Sequence, residues 1–308
     1  MNALAALRNR QVTIVEVGPR DGLQNESVQI PTADKVAFVD ALSDSGLPVI
    51  EVSAFVNPAR VPQMADGSAV FAGISRRAGT RYTALVPNLR GLDRAAEAGV
   101  NEIAIFAAAS ESFSRANINQ SIDDSFATYA AVCARASEMG MRVRGYLSTA
   151  FGCPYEGAVS VDVVATLTER LLAMGVFEVA VSDTIGIAHP GQVDRVLDVL
   201  ESRVPLAQVA LHFHDTRGTA LANVLTGLLH GITTFDASSG GLGGCPFAPG
   251  ASGNLATEDL VYMLNGLGIR TDVDLERLAD ASSRIAARLD HRLPSRYLAA
   301  RRATRART

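Results

Sequence analysis

Short β-branched, apolar runs alternate along the whole chain with longer stretches whose apolar positions recur at helical spacing. The short runs predict strands and the longer ones amphipathic helices. Eight such pairs follow, with strands over Val12–Val17, Pro48–Ala54, Arg81–Val86, Glu102–Ala107, Arg142–Ser148, Phe177–Ser182, Gln208–His214 and Thr233–Ala237. Thr32, Asn88, Ser121 with Asp124, Ser160 and Thr257 stand where helix N-caps belong. Gly46, Gly99, Gly140, Gly175 and Gly231 stand where a helix should stop and a strand should follow.

The recurrence of glycine followed by an apolar run is a weak internal repeat at the spacing of one β/α unit. Strand–helix alternation requires a parallel sheet, and eight units predict its closure as an α/β, (β/α)8 TIM barrel. The rival, an open doubly wound sheet, would carry a dinucleotide fingerprint after its first strand, where Gly18-Pro-Arg-Asp-Gly22 stands instead. No linker divides the chain, so residues 1–308 are read as a single domain. Its barrel covers about 12–270, and a short C-terminal helical extension and tail follow over about 271–308.

Composition narrows the function classes. Hydrophobic residues make up 48% and charged ones 19%, which excludes a disordered or fibrous chain. No apolar run is long enough to cross a bilayer. A formal charge of -4 supplies no field for nucleic acid, and neither nucleic acid nor membrane is an expected partner. The three cysteines, Cys133, Cys153 and Cys245, lack the number and spacing of a disulfide framework or a thiolate metal site, which fits a reducing, cytoplasmic setting. The arginine-rich end, Arg288–Thr308, reads as a solvated helix and frayed tail ahead of an anion site.

Polar residues just past each strand are the candidate chemistry, because barrels of this kind build their sites at the C-terminal strand ends. His212 and His214, two apart at the end of the seventh strand, share a face and form either a metal site or a hydrogen-bonded pair. Asp21 after the first strand and Asn254 after the eighth supply third and fourth ligands, since closure sets strand eight between seven and one. Two imidazoles, a carboxylate and an amide oxygen, without sulfur, suit a divalent cation, Mg2+ or Mn2+. Arg20 is placed to receive oxyanion charge, or else to form a salt bridge with Glu51; Gln24 belongs to the same sector as an expected substrate contact. Asp183 would hydrogen-bond a metal-bound histidine or cap the turn that follows it. Gly240–Gly250 holds Cys245 in a segment that scarcely forms helix or strand: either a lid that delivers a thiol, or a long surface connection.

The segments Gly18–Asn25, Val61–Asp66, Gly152–Gly157, His212–Thr216 and Gly240–Asp259 together resemble the 3-hydroxy-3-methylglutaryl-CoA lyases, over about residues 12–280. Arg-Asp-Gly with His-x-His would indicate only the wider group of metal-dependent lyases and Claisen-type synthases. The Gly-Gly-Leu-Gly-Gly-Cys-Pro loop followed by Gly253-Asn-Leu-Ala-Thr-Glu258 is far more specific. The resemblance implies a cation held by Asp21, His212, His214 and Asn254, with Arg20 as oxyanion stabiliser, Cys245 as catalytic thiol and Glu51 as an acidic partner. It departs at Phe213, which should point away from the site, and at Arg217, expected to open the next helix.

The implied reaction divides 3-hydroxy-3-methylglutaryl-CoA into acetoacetate and acetyl-CoA, a reversed Claisen condensation on an acyl-CoA substrate. His212 or Glu51 would take the hydroxyl proton, and Cys245 would protonate the departing enolate carbon. A lyase for a longer branched 3-hydroxyglutaryl-CoA and a Claisen-condensing synthase are the near rivals. An inert metal-binding or assembly protein would predict a damaged constellation, whereas every group is present. A homodimer is the expected assembly.

Overall fold

The computed structural model describes residues 3–244 and 253–305. Eight parallel strands close into a barrel in sequence order. They are β1 (Thr13–Glu16), β2 (Val49–Ala54), β3 (Arg81–Leu85), β4 (Glu102–Ala108), β5 (Arg142–Ser148), β6 (Val179–Asp183), β7 (Val209–Phe213) and β8 (Thr234–Ala237). Each strand read from the sequence is present. The helices are α1 (Thr32–Asp44), α2 (Gly67–Gly73), α3 (Leu89–Glu97), α4 (Glu111–Ile118), α5 (Ile122–Glu138), α6 (Val161–Ala173), α7 (Pro190–Glu201), α8 (Ala220–Leu229), α9 (Thr257–Gly266), α10 (Leu275–Ala286) and α11 (Arg296–Arg305).

Strand and helix residues share one continuous apolar core, including Ile14, Ile50, Ile103, Leu197, Leu228 and Leu278. Burial of each such side chain contributes about 1.5–3 kcal/mol, so the core dominates what favours the fold. Asn88 and Ser121 cap α3 and α5 through Gly91 N and Asp124 N, each at 3.0 Å. Ser160 occupies the cap of α6 without a side-chain bond. Two expected caps are displaced: Pro31 and Ala256 hold the cap positions of α1 and α9. Thr32 Oγ1 instead donates to Asp66 Oδ2 at 2.7 Å, and Thr257 Oγ1 to Glu16 Oε2 at 2.7 Å. A hydroxyl with a carboxylate in reach is better satisfied there than by a helix amide. The five glycines at helix–strand joints all take positive φ.

Three features position the site. β1 ends in a wide π-type turn over Gly18–Gly22, closed by Gly22 N donating to Val17 O at 3.1 Å. β8 lies between β7 and β1, with His212 level with Asp236 and Glu16 level with Ala237. β2 shifts register between Glu51 and Ser53, an irregularity that re-aims side chains at a strand's end. Beyond α9 the chain does not simply trail off, since α10 packs against both α1 and α9.

Candidate metal centre and catalytic cluster

The π-type turn after β1 sets two adjacent side chains into one buried region. Arg20 Nε donates to Glu51 Oε2 at 2.6 Å, and its Nη1 to Asp21 Oδ1 at 2.8 Å. The guanidinium carbon lies 5.5 Å from the Tyr146 ring centroid, within cation–π range. The salt bridge to Glu51 therefore exists, made through Nε, while Nη1 serves Asp21. Burial would raise the Asp21 carboxyl, yet Arg20 and the two histidines outweigh it and hold it at about 2. For Glu51 burial wins, raising it above the usual carboxylate range despite Arg20, and its Oε1 is buried with no hydrogen-bond partner among the described residues.

His212 and His214 face Asp21 from β7 and its end. The ring centroids are 5.3 Å apart, and one donor atom from each of Asp21, His212 and His214 falls within 4.8 Å of the others. Burial, then the neighbouring His212, lowers His214 to about 4, which keeps its imidazole neutral as a ligand must be. Phe213 between them is buried against Phe151, with centroids 5.8 Å apart, and points away as strand alternation requires.

Asn254 reaches this cluster because its segment pairs back along β7. His214 and Asn254 form an antiparallel bridge, flanked by Asp215 N to Gly253 O at 2.9 Å and Leu255 N to Phe213 O at 3.0 Å. The approach needs glycine on both sides. A Cβ at Gly243 would sit 2.7 Å from Asn254 Nδ2, and one at Gly253 would stand 1.6 Å from Gly243 O. Asn254 Nδ2 donates to Asp21 Oδ2 at 2.8 Å and Leu242 O at 3.0 Å. Among the described residues, that leaves Asn254 Oδ1 and His214 Nδ1 buried without partners. Buried polar atoms are rarely left unsatisfied, so two orphaned acceptors beside a low-lying carboxylate and a second imidazole fit a divalent cation.

Other expected residues are placed differently. Among the described residues Asp183 bonds no histidine and takes the other role expected of it, capping its turn: its oxygens accept Ile187 N at 3.1 Å and Ala188 N at 2.9 Å. The carboxylate on His212 is Asp236, whose Oδ2 is 3.2 Å from Nδ1. Burial raises Asp236, but Arg144 and His212 outweigh it and leave it below the usual range. Arg217 precedes α8 and donates from Nη1 to Gly186 O at 2.9 Å and Ile185 O at 3.3 Å. Gln24 lines a cleft with Asn25, Glu26, Arg60 and Gln63, and no hydrogen bond joins it to the cluster among the described residues. Cys245 lies outside the described residues. Arg144, Tyr146 and Asp236 join the site without belonging to any motif; for Arg144 and Asp236 the signal in the sequence is a charged residue inside a strand with neighbours on both sides.

The HMGL-like family profile matches residues 11–285. The chain belongs to the HMGL-like family. Among its relatives, the hydroxymethylglutaryl-CoA lyase YngG of Bacillus subtilis is 52% identical over 289 residues, covering 94% of this chain and 97% of that one. A Pseudomonas aeruginosa protein named 3-hydroxy-3-isohexenylglutaryl-CoA/hydroxy-methylglutaryl-CoA lyase is 52% identical over 278 residues, 90% of this chain and 93% of its own. The crystal structure of the Bacillus subtilis HMG-CoA lyase superposes with a TM-score of 0.94 at 50% identity, covering 96% of this chain and 99% of that one. The HMGL-like match thus spans the π-type turn, both histidines and the Asn254 segment together.

Proposed function

We propose that the protein is a divalent-metal-dependent carbon–carbon lyase that cleaves 3-hydroxy-3-methylglutaryl-CoA to acetoacetate and acetyl-CoA. The observation that carries this reading is the convergence of Asp21, His212, His214 and the unpartnered Asn254 Oδ1 beside the buried Arg20–Glu51 pair. These four residues would hold the cation, and their mixed nitrogen and oxygen donors favour Mg2+ or Mn2+. A bound cation supplies Lewis acidity that lowers the cost of alkoxide character on the substrate hydroxyl and orients the bond to be broken.

Glu51 is the better proton acceptor of the two candidates, because His212 Nδ1 is engaged by Asp236 and its other nitrogen is required as a ligand. Burial raises Glu51, and its Oε1 has no competing partner, both of which suit a general base. Taking a proton there weakens the hold of Glu51 on Arg20. The guanidinium then meets charge developing on the thioester oxygen, worth about 3 kcal/mol if it resembles a single oxyanion donor. Cys245 protonates the enolate carbon, with no covalent intermediate. Gln24 contributes at most an outer substrate contact.

The acyl-CoA is the only partner assigned; a cytoplasmic homodimer is the accompanying expectation. No helix among the described residues is long and apolar enough to cross a membrane. Incubating the purified protein with Mg2+ and 3-hydroxy-3-methylglutaryl-CoA should release acetoacetate and acetyl-CoA in equal amounts, and chelator should abolish both. Absence of acetoacetate from the methyl substrate, with turnover of the isohexenyl homologue, would replace this reading by that of the longer-chain lyase.

A further inference from the structure

Behind the cluster, charged groups run in contact across the barrel. Arg144 on β5 is 1% exposed and forks onto Asp236 of β8, with Nη2 to Oδ1 at 2.8 Å and Nη1 to Oδ2 at 3.2 Å. Its Nε donates to Glu178 Oε1 at 2.7 Å. Asp236 Oδ2 also meets His212 Nδ1 at 3.2 Å. Tyr146 packs on this chain, its centroid 5.1 Å from the Arg144 guanidinium carbon and its ring edge-on to His212 at 6.3 Å. A buried ion pair of this kind is seldom more stabilising than apolar packing of the same volume, so barrel stability does not account for it.

The two histidines differ in a way that gives the fork a purpose. A carboxylate only accepts, so Asp236 selects the His212 tautomer with hydrogen on Nδ1 and leaves Nε2 as its one lone pair. His214 Nδ1 has no such partner. Arg144 grips both Asp236 oxygens from a strand that is not its neighbour, which fixes the carboxylate plane against rotation.

We propose that Asp236, clamped by Arg144, is a positioning residue that fixes the tautomer and ring orientation of His212 and thereby sets the cation affinity of the centre. The inference rests on Asp21, His212, His214 and Asn254 being the cation ligands.

The test is Mn2+ titration of the metal-stripped protein by electron paramagnetic resonance, for the parent, Asp236→Asn and His212→Ala, together with long-range 1H–15N spectra of histidine-labelled protein. In Asp236→Asn the amide can present its own N–H to Nδ1 and admit the opposite tautomer, so Mn2+ affinity should fall about 10- to 100-fold. The parent spectrum should show His212 with hydrogen on Nδ1, and the variant should gain the Nε2–H form. Unchanged Mn2+ affinity in folded Asp236→Asn would overturn the inference, as would a neutral parent His212 whose one ring hydrogen sits on Nε2. The second readout does not depend on the variant folding. If His212→Ala binds Mn2+ as tightly as the parent, the ligand assignment fails and this inference with it. If His212→Ala loses the cation and Asp236→Asn does not, only the inference fails.

Discussion

At the scale of single residues, the polar atoms of one side chain divide the work of the site between them. Asn254 joins the loop after β8 to Asp21 through Nδ2 while keeping Oδ1 for a ligand. Asn254→Ala should therefore weaken Mn2+ by about tenfold or more, since loss of an outer partner alone costs that much; an unchanged titration would remove it from the centre. Cys245→Ala should bind cation and substrate as the parent does, yet lose roughly 10²–10⁴-fold in turnover, the usual worth of a positioned acid. Parent-rate cleavage would exclude the thiol. Asp21, His212 and His214 were legible because strand alternation and barrel closure bring them together, and closure also sets the loop of Asn254 nearby, whereas the pairing along β7 that delivers its side chain is seen only in the fold. Asp236 and Arg144 were not, because alternation shows which face a residue takes and not which charge it meets across the barrel from a non-adjacent strand. Asp183 takes the second of its two expected roles, because a carboxylate at a strand end satisfies the amides its own turn supplies, and the strand pattern does not choose between that role and a histidine contact.

Elements are joined by two buried carboxylates below the site. Glu16 Oε1 accepts Gly18 N at 2.8 Å and Ser239 N at 2.7 Å, and Oε2 accepts Thr257 Oγ1. One side chain thus staples the turn that carries Arg20 and Asp21 to both flanks of the segment that returns with Asn254. Glu258 accepts Gly240 N at 2.8 Å and the hydroxyl of Ser282 on α10. Burial lifts Glu16 to about 7, against the lowering effect of its three hydrogen bonds, and lifts Glu258 to about 8, with Glu16 adding to it. Between the ordinary carboxylate value of 4.5 and about 7, the folded protein holds a proton on Glu16 that the unfolded chain lacks. That contribution to stability is complete below the unfolded value and is lost as pH rises through the folded one, with a ceiling of roughly 3 kcal/mol. Glu16→Gln removes the titration while leaving an oxygen for the two amides. Its thermal midpoint relative to the parent should rise between pH 5 and about pH 7 and level off above that, and parallel curves would refute the assignment. The strands were legible from period, and the starts of α1, α3, α5, α6 and α9 from capping chemistry to within one residue. Thr257 read as a cap because a hydroxyl at a helix start usually is one, and only the folded chain reveals Glu16 beside it.

Across the whole molecule, the C-terminal region read as an extension is tied into the barrel mouth. Ser27 Oγ donates to Asp290 Oδ2 at 3.1 Å, and Ser295 N donates to Gly240 O at 3.1 Å. Arg296 reaches Asp215, just after His214, at 3.3 Å. The tail therefore touches loops after β1, β7 and β8, the three that carry the proposed ligands. Barrel order was legible because eight repeats leave few topologies, whereas this docking was not, since arginine-rich helices look alike whether solvated or anchored. The anchor is Asp259 on α9, half-buried, which accepts Ser295 Oγ at 2.8 Å, Arg296 N at 3.0 Å and Tyr297 N at 2.8 Å. It is a helix cap supplied from elsewhere in the chain. Asp259→Ala leaves those donors without their acceptor and should cost roughly 2 kcal/mol. The loss should be regional, because α11 holds Gly240 through Ser295: amide exchange should speed up over 296–305 and also over 238–242, while β4 and β5 on the far side stay protected. Faster exchange in α11 alone would mean that the tail is docked but does not brace the mouth. Unchanged exchange in both would show that Asp259 is not what holds it.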